Sequence, residues 1–148
     1  MKLRDLLDQS RVLFLDETDR DAVLTTMAEH AAGTGLTAAG TDFENAILQR
    51  EQTVSTGIGL GVAVPHAKLP TIESFFIVLG VLRHAVEWDA IDQQPVRLVF
   101  MIGGPADQQS TYLQILAKVV LITKNGRLRS AIEQAGTAEQ ALSVLAEI

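Results

Sequence analysis

The sequence predicts an α/β domain with a mixed central β-sheet and helices on both faces. Two continuous apolar runs of strand length, Phe75–Leu82 and Arg97–Ile102, read as strands buried on both sides. Helical periodicity precedes these runs and resumes after them. The helices that follow the last strand depart from a regular βαβ repeat. A length of 148 residues suits one domain, 1–148, able to bury a core without a metal or disulfide staple. No repeat, low-complexity tract or Pro/Gly/Ser-rich linker divides the chain.

Taken in order, Arg11–Leu15 is a short β-prone run. Thr18, with Asp21 three positions later, reads as the N-cap of a first helix. That helix runs to about Ala32, with Ala22, Val23, Met27 and Ala31 on one face, and Gly33 and Gly35 stop it. A second helix spans Asp42 to Arg50, with Phe43, Ala46 and Ile47 at helical spacing. Thr53–Gly61 carries Gly57, Gly59 and Gly61 and reads as a loop or tight turn. Val62–Val64 is a short apolar piece ended by Pro65-His66. Gly103-Gly104-Pro105 closes the second long run. Helices are expected over Gln109–Ile122, Arg127–Gln134 and Ala138–Glu147, punctuated by Asn125-Gly126 and Gly136.

Composition narrows the function. Twelve basic against 18 acidic residues give a net charge of −6, which disfavours a nucleic-acid or anionic-membrane partner. The absence of cysteine removes disulfides, Cys-zinc sites, Fe–S clusters and thiol nucleophiles, and fits a reducing cytoplasm. Asp5 and Asp8 interrupt the apolar stretch a signal peptide needs. The longest apolar run, Phe75–Leu82, falls short of the roughly 20 residues of a membrane span. A cytoplasmic protein without membrane insertion is therefore expected.

Among the candidate nucleophiles, His30 near a helix end and His84 in the turn RHAVEW after the strand read as solvated histidines. His66 follows the stiff Pro65 and the apolar run VAV, beside a Gly-rich loop, so it sits where α/β folds place ligands. Its imidazole permits proton transfer, metal ligation or covalent phosphorylation, although a turn histidine is the plainer reading. No His pair at i, i+4 and no HExxH supports a metal. No GxSxG, GxGxxG or P-loop supports a hydrolase or nucleotide site. Arg50 and Glu51 end the second helix and enter the Gly-rich loop; Arg50 is placed either to clamp a phosphoryl group or to cap the helix in solvent. Trp88, Asp89 and Asp92 read as a polar turn, and Lys124, Arg127 and Arg129 as a solvated helix start.

From Ser55 to Leu69 the sequence STGIGLGVAVPHAKL resembles the type-2 IIA domain of the bacterial phosphoenolpyruvate:sugar phosphotransferase system, the fructose/mannitol/nitrogen-regulatory group. In that family an acidic residue, a Gly-containing loop, a small apolar strand and Pro-His-Gly/Ala follow one another. Here they read Glu51, Thr56-Gly57-Ile58-Gly59, Val62-Ala63-Val64 and Pro65-His66-Ala67. The helix end AILQRE (Ala46–Glu51) and the stretch WDAIDQQPVRLVFMI (Trp88–Ile102) extend the likeness, which runs from Leu6 to Leu145. Among subgroups it is most similar to the free-standing nitrogen-regulatory IIA proteins, and no sugar-binding, membrane or IIB-like segment stands in this sequence.

The resemblance implies a phosphoryl carrier of the phosphotransferase system rather than a stand-alone catalyst. It makes His66 the acceptor of a phosphoryl group from a phosphohistidine on an HPr-like carrier protein. It places Arg50 beside that histidine to stabilise phosphoryl charge, with Gly57 and Gly59 bordering the pocket. It requires no cofactor and no metal. Nitrogen-type regulatory signalling to target proteins is the first expectation, and a sugar relay passing phosphate to a fructose/mannitol-type IIB domain the second. One departure stands out. Where the family has His-Leu-x-x-Leu-Ala, this chain has Tyr112-Leu113-Gln114-Ile115-Leu116-Ala117. The Tyr112 hydroxyl can donate to a phosphoryl oxygen but offers no imidazole. A non-phosphorylated regulatory binding module is therefore the third expectation. Tyr112 is expected to line the same pocket as His66.

Overall fold

The computed structural model describes residues 2–37, 40–146 and 148, with the backbone only at residues 40 and 41. The strands are β1 Val12–Leu15, β2 Gly57–Gly59, β3 Val62–Ala63, β4 His66–Leu69, β5 Phe76–Val86 and β6 Val96–Pro105. The helices are α1 Arg20–Gly33, α2 Gly40–Thr53, α3 Gln109–Lys124, α4 Gly126–Glu133 and α5 Ala138–Val144. All six strands form one sheet in the order β1-β5-β6-β3-β2, with β4 also paired to β6. β5 and β6 are antiparallel, whereas β1 runs parallel to β5, and β3 and β4 run parallel to β6. The sheet is mixed, as the sequence predicts.

The two long strands bury side chains on both faces, and their period of two sorts the core into two layers. Ile77, Leu79 and Val81 of β5 join Leu98, Phe100 and Ile102 of β6 against Ile115, Val119, Ile132 and Ala141 of α3–α5. Phe76, Val78 and Leu82 join Val99 and Met101 against Val23, Met27, Phe43 and Ile47 of α1 and α2. Gly80 lets α1 approach, because a Cβ there would meet the Met27 sulfur at 2.8 Å.

Several local expectations shift. The cap of α1 is Asp19, whose carboxylate accepts from the Ala22 N–H at 3.0 Å, rather than Thr18. A carboxylate accepts this bond in its charged form and also answers the helix dipole. α2 continues past Arg50 to Thr53, so Arg50 and Glu51 lie in its last turn instead of in the loop. His84 lies within β5 and not in a turn. The Gly-rich stretch is a tight hairpin, with Gly57 opposite Ala63 and Gly59 opposite Val62. Leu60 at its tip adopts a φ of 57°. α5 ends at Val144; the expected end at Glu147 lies outside the described residues. Short 3₁₀ turns at Leu3–Leu6 and Gln9–Arg11 carry no periodic signal in the sequence.

β6 positions the segment that carries His66. Its first half pairs with β3 and its second half with β4, from His66 opposite Ile102 to Leu69 opposite Pro105. Between them Val64 and Pro65 break the strand. Pro65 has no N–H to give, but its carbonyl accepts from the Ile102 N–H at 2.9 Å. His66 therefore opens a second short strand rather than closing the first.

Candidate active site

The break before His66 turns its ring back along the chain. Its Nδ1 lies 3.0 Å from the Val64 carbonyl oxygen. A carbonyl can only accept, so Nδ1 carries the hydrogen and Nε2 keeps its lone pair. The half-buried imidazole binds a proton less readily than usual, chiefly because burial penalises its charged form. The cations of Arg50 and Lys68 act in the same direction, while the Val64 bond and Glu51 oppose it. The result is a neutral imidazole with a free nucleophilic nitrogen.

Tyr112, in the first turn of α3, packs against this ring with centroids 5.0 Å apart and planes 40° from parallel. The two rings are therefore direct neighbours. Burial pushes the phenol's pKa up, with Arg50 pulling the other way, so the hydroxyl stays a donor at neutral pH. Arg50 is exposed in the last turn of α2, and one guanidinium nitrogen donates to the Val54 carbonyl at 3.3 Å. Its field reaches both His66 and Tyr112.

Glu51, next to Arg50, is only 2% exposed. Its two oxygens accept from the Thr56 N–H at 2.6 Å and the Thr56 hydroxyl at 2.5 Å. The Trp88 indole N–H reaches the same hydroxyl at 3.4 Å. This buried clasp ties the end of α2 to the hairpin and to the segment after β5. Sequence reasoning took Glu51 as a motif residue only; an acid beside a helix end and five residues before a Thr was the signal available.

The nearest neighbours of Gly57 and Gly59 lie in the segment after β5. A Cβ on Gly57 would meet the Ala90 Cβ at 2.6 Å, and one on Gly59 would meet Asp92 and Ile91 at about 3.5 Å. Both therefore serve the close packing of the hairpin on the 88–92 segment. Asp92 belongs to that packing, accepting from the Leu60 N–H at 2.9 Å and the Gln94 N–H at 3.1 Å. The structure thus brings His66 and Tyr112 into contact with Arg50 within electrostatic reach, and it adds Lys68, whose ammonium lies 4.7 Å from the centroid of the Tyr112 ring. His30 is remote from this group, with its Nε2 against the Ser10 carbonyl. Among the described residues no helix is long and apolar enough to cross a membrane.

Known proteins share this arrangement of chain. The chain is 27% identical over 98% of its length to the fructose-specific EIIABC component of Bacillus subtilis, and spans 23% of that protein. It is 33% identical over 68% of its length to a nitrogen regulatory protein of Bradyrhizobium diazoefficiens, and spans 65% of it. The nitrogen regulatory protein IIA-Ntr of Neisseria meningitidis has the same fold, with a TM-score of 0.88 at 22% identity over 95% of this chain and 97% of that one. The Escherichia coli IIA mannitol enzyme, solved in complex with its phosphorylated IIB partner, superposes with a TM-score of 0.82 at 15% identity over 96% of this chain and 98% of that one. Residues 5–148 match the family described as phosphoenolpyruvate-dependent sugar phosphotransferase system, EIIA 2, and the chain belongs to that family.

Proposed function

We propose that this protein is a phosphohistidine carrier that accepts a phosphoryl group on His66 Nε2 from an HPr-like phosphocarrier protein. The observation that carries the reading is the Val64 carbonyl on Nδ1, which leaves Nε2 as the one nucleophilic nitrogen of a neutral ring. In the transfer, the Nε2 lone pair forms a new N–P bond. The donor's N–P bond breaks, and its imidazole leaves with that electron pair. No proton need move: His66 keeps Nδ1–H on Val64, and that bond also stabilises the positive charge the phosphorylated ring acquires. Arg50 neutralises charge on the phosphoryl oxygens in flight, and the Tyr112 hydroxyl donates to one of them. Positioning and charge neutralisation suffice for phosphoryl transfer, so the site needs neither nucleotide nor cofactor.

The likeness to nitrogen regulatory proteins supports a regulatory role in which the phosphorylation state of His66 is the signal. The likeness to the fructose component supports a relay to a IIB domain as the alternative. Tyr112 in the place of the family's second histidine favours a third reading, a binding module that takes no phosphate. Incubation with phosphoenolpyruvate, enzyme I and an HPr-like carrier, followed by intact mass, separates these. One acid-labile phosphoryl group, absent in His66→Ala, is the expected result. No gain beside a demonstrably active donor would favour the binding module, and added IIB domain that drains the label would favour the relay.

A further inference from the structure

A second cation reaches the acceptor histidine. Lys68 follows His66 by two residues on β4, so strand alternation puts both side chains on one face, while Ala67 between them turns into the opposite core layer. The Lys68 ammonium sits 4.7 Å from the Tyr112 ring centroid, and that ring sits 5.0 Å from the His66 ring. The side-chain oxygen of Gln109, the first residue of α3, accepts from the same ammonium. Two residues of α3 thus hold one flexible side chain of β4 over the site. The ion pairs among the described residues are Arg11–Asp8, Arg20–Asp21 and Arg83–Asp16, and neither Lys68 nor Arg50 is in one. Two cations without carboxylate partners, beside a neutral nucleophile, make a receptor for a multiply charged anion.

We infer that Lys68 is a second charge-neutralising residue of the phosphoryl site, seated on the Tyr112 ring and contacting the phosphoryl oxygens during transfer. The inference rests on His66 being the acceptor. It also gives Tyr112 a task that a protonated imidazole at position 112 would perform badly. The electron-rich face of a phenol attracts an ammonium, whereas an imidazolium repels it. Lys68 makes no covalent bond and moves no proton, so the bond changes are those already described.

The test is single-turnover transfer from a phosphorylated HPr-like carrier, quenched and read by intact mass, for wild type, Lys68→Gln and Lys68→Arg. At saturating donor, Lys68→Gln is expected to slow transfer at least about tenfold, and Lys68→Arg to recover most of the rate. The donor concentration at half-saturation should not change. Titration of inorganic phosphate against the unphosphorylated proteins, followed on the His66 ring protons, should show weaker binding in Lys68→Gln and guards against a folding artefact. Equal transfer rates in wild type and Lys68→Gln would overturn the Lys68 inference and leave His66 as acceptor. A change confined to half-saturation would overturn it too, by making Lys68 a docking residue. Failure of the wild type itself to gain mass would overturn the acceptor reading and this one with it.

Discussion

The rings of His66 and Tyr112 stand 5.0 Å apart and tilted by 40°, which leaves the phenol hydroxyl free to address a group bonded to the imidazole. Tyr112→Phe keeps that ring and removes only the hydroxyl. A hydrogen bond to a charged oxygen is worth about 1.5–3 kcal/mol, so the transfer rate should fall about tenfold or more. The thermal midpoint should move little, because the hydroxyl has no hydrogen-bond partner among the described residues to lose. Quenched-flow mass measurement on the variant checks this, and an unchanged rate would exclude the hydroxyl from the transfer.

The pH dependence follows from the environment of His66. Burial, Arg50 and Lys68 hold its pKa below the ordinary 6.5, against the Val64 bond and Glu51. The neutral, reactive ring therefore persists below that pH, and transfer should decline only as pH falls through the lowered value. The stability contribution has the same sense. The unfolded chain takes up a proton on this residue at higher pH than the folded one. The contribution is therefore complete above 6.5 and is lost as pH falls from there towards the folded value. An NMR titration of the His66 ring gives the midpoint directly; a value at or above 6.5 would contradict this. Lys68→Gln should raise the midpoint.

The Glu51 clasp is structural, and its loss should be felt as stability. Glu51→Ala leaves the buried Thr56 N–H and hydroxyl without their acceptor. The expected cost is about 2–4 kcal/mol. It should register as a lower urea midpoint at unchanged slope. Glu51→Gln retains an oxygen acceptor and should cost less.

Two glycines should respond in opposite ways to the same methyl group. Gly57→Ala drives a Cβ into Ala90 at 2.6 Å, partly against backbone, and should destabilise by about 1–3 kcal/mol. Gly33→Ala, with nothing within 4 Å of the new atom, should stabilise by about 0.4–1 kcal/mol. Paired denaturation curves decide it.

The core of the fold was legible because β5 and β6 are buried on both faces, and a continuous apolar run says so without any tertiary knowledge. β2 and β4 were not legible. β2 is GIG and β4 is HAKL, neither with a strand's composition, and both exist because β6 and the hairpin supply partners. The end of α2 was misplaced because the Gly-rich stretch signals a loop, whereas the helix runs on to Thr53 and buries Glu51 against Thr56. At the site, position singled out His66 and Arg50 but left a turn histidine and a solvated cation as alternatives, and the family resemblance chose between these and added Tyr112. Lys68 escaped notice because its meaning lies in a contact with Tyr112 across 44 positions of sequence. The glycines were assigned to the pocket by motif, while their contacts belong to the 88–92 segment.

Arg50 comes from α2, packed in one core layer, and Tyr112 from α3, packed in the other, with His66 on a strand between them. The constellation therefore exists only when both layers are docked at once. A molecule that has shed either layer retains its imidazole and loses a guanidinium or a phenol. The proposed site is thus a property of the assembled domain, and no single layer carries it.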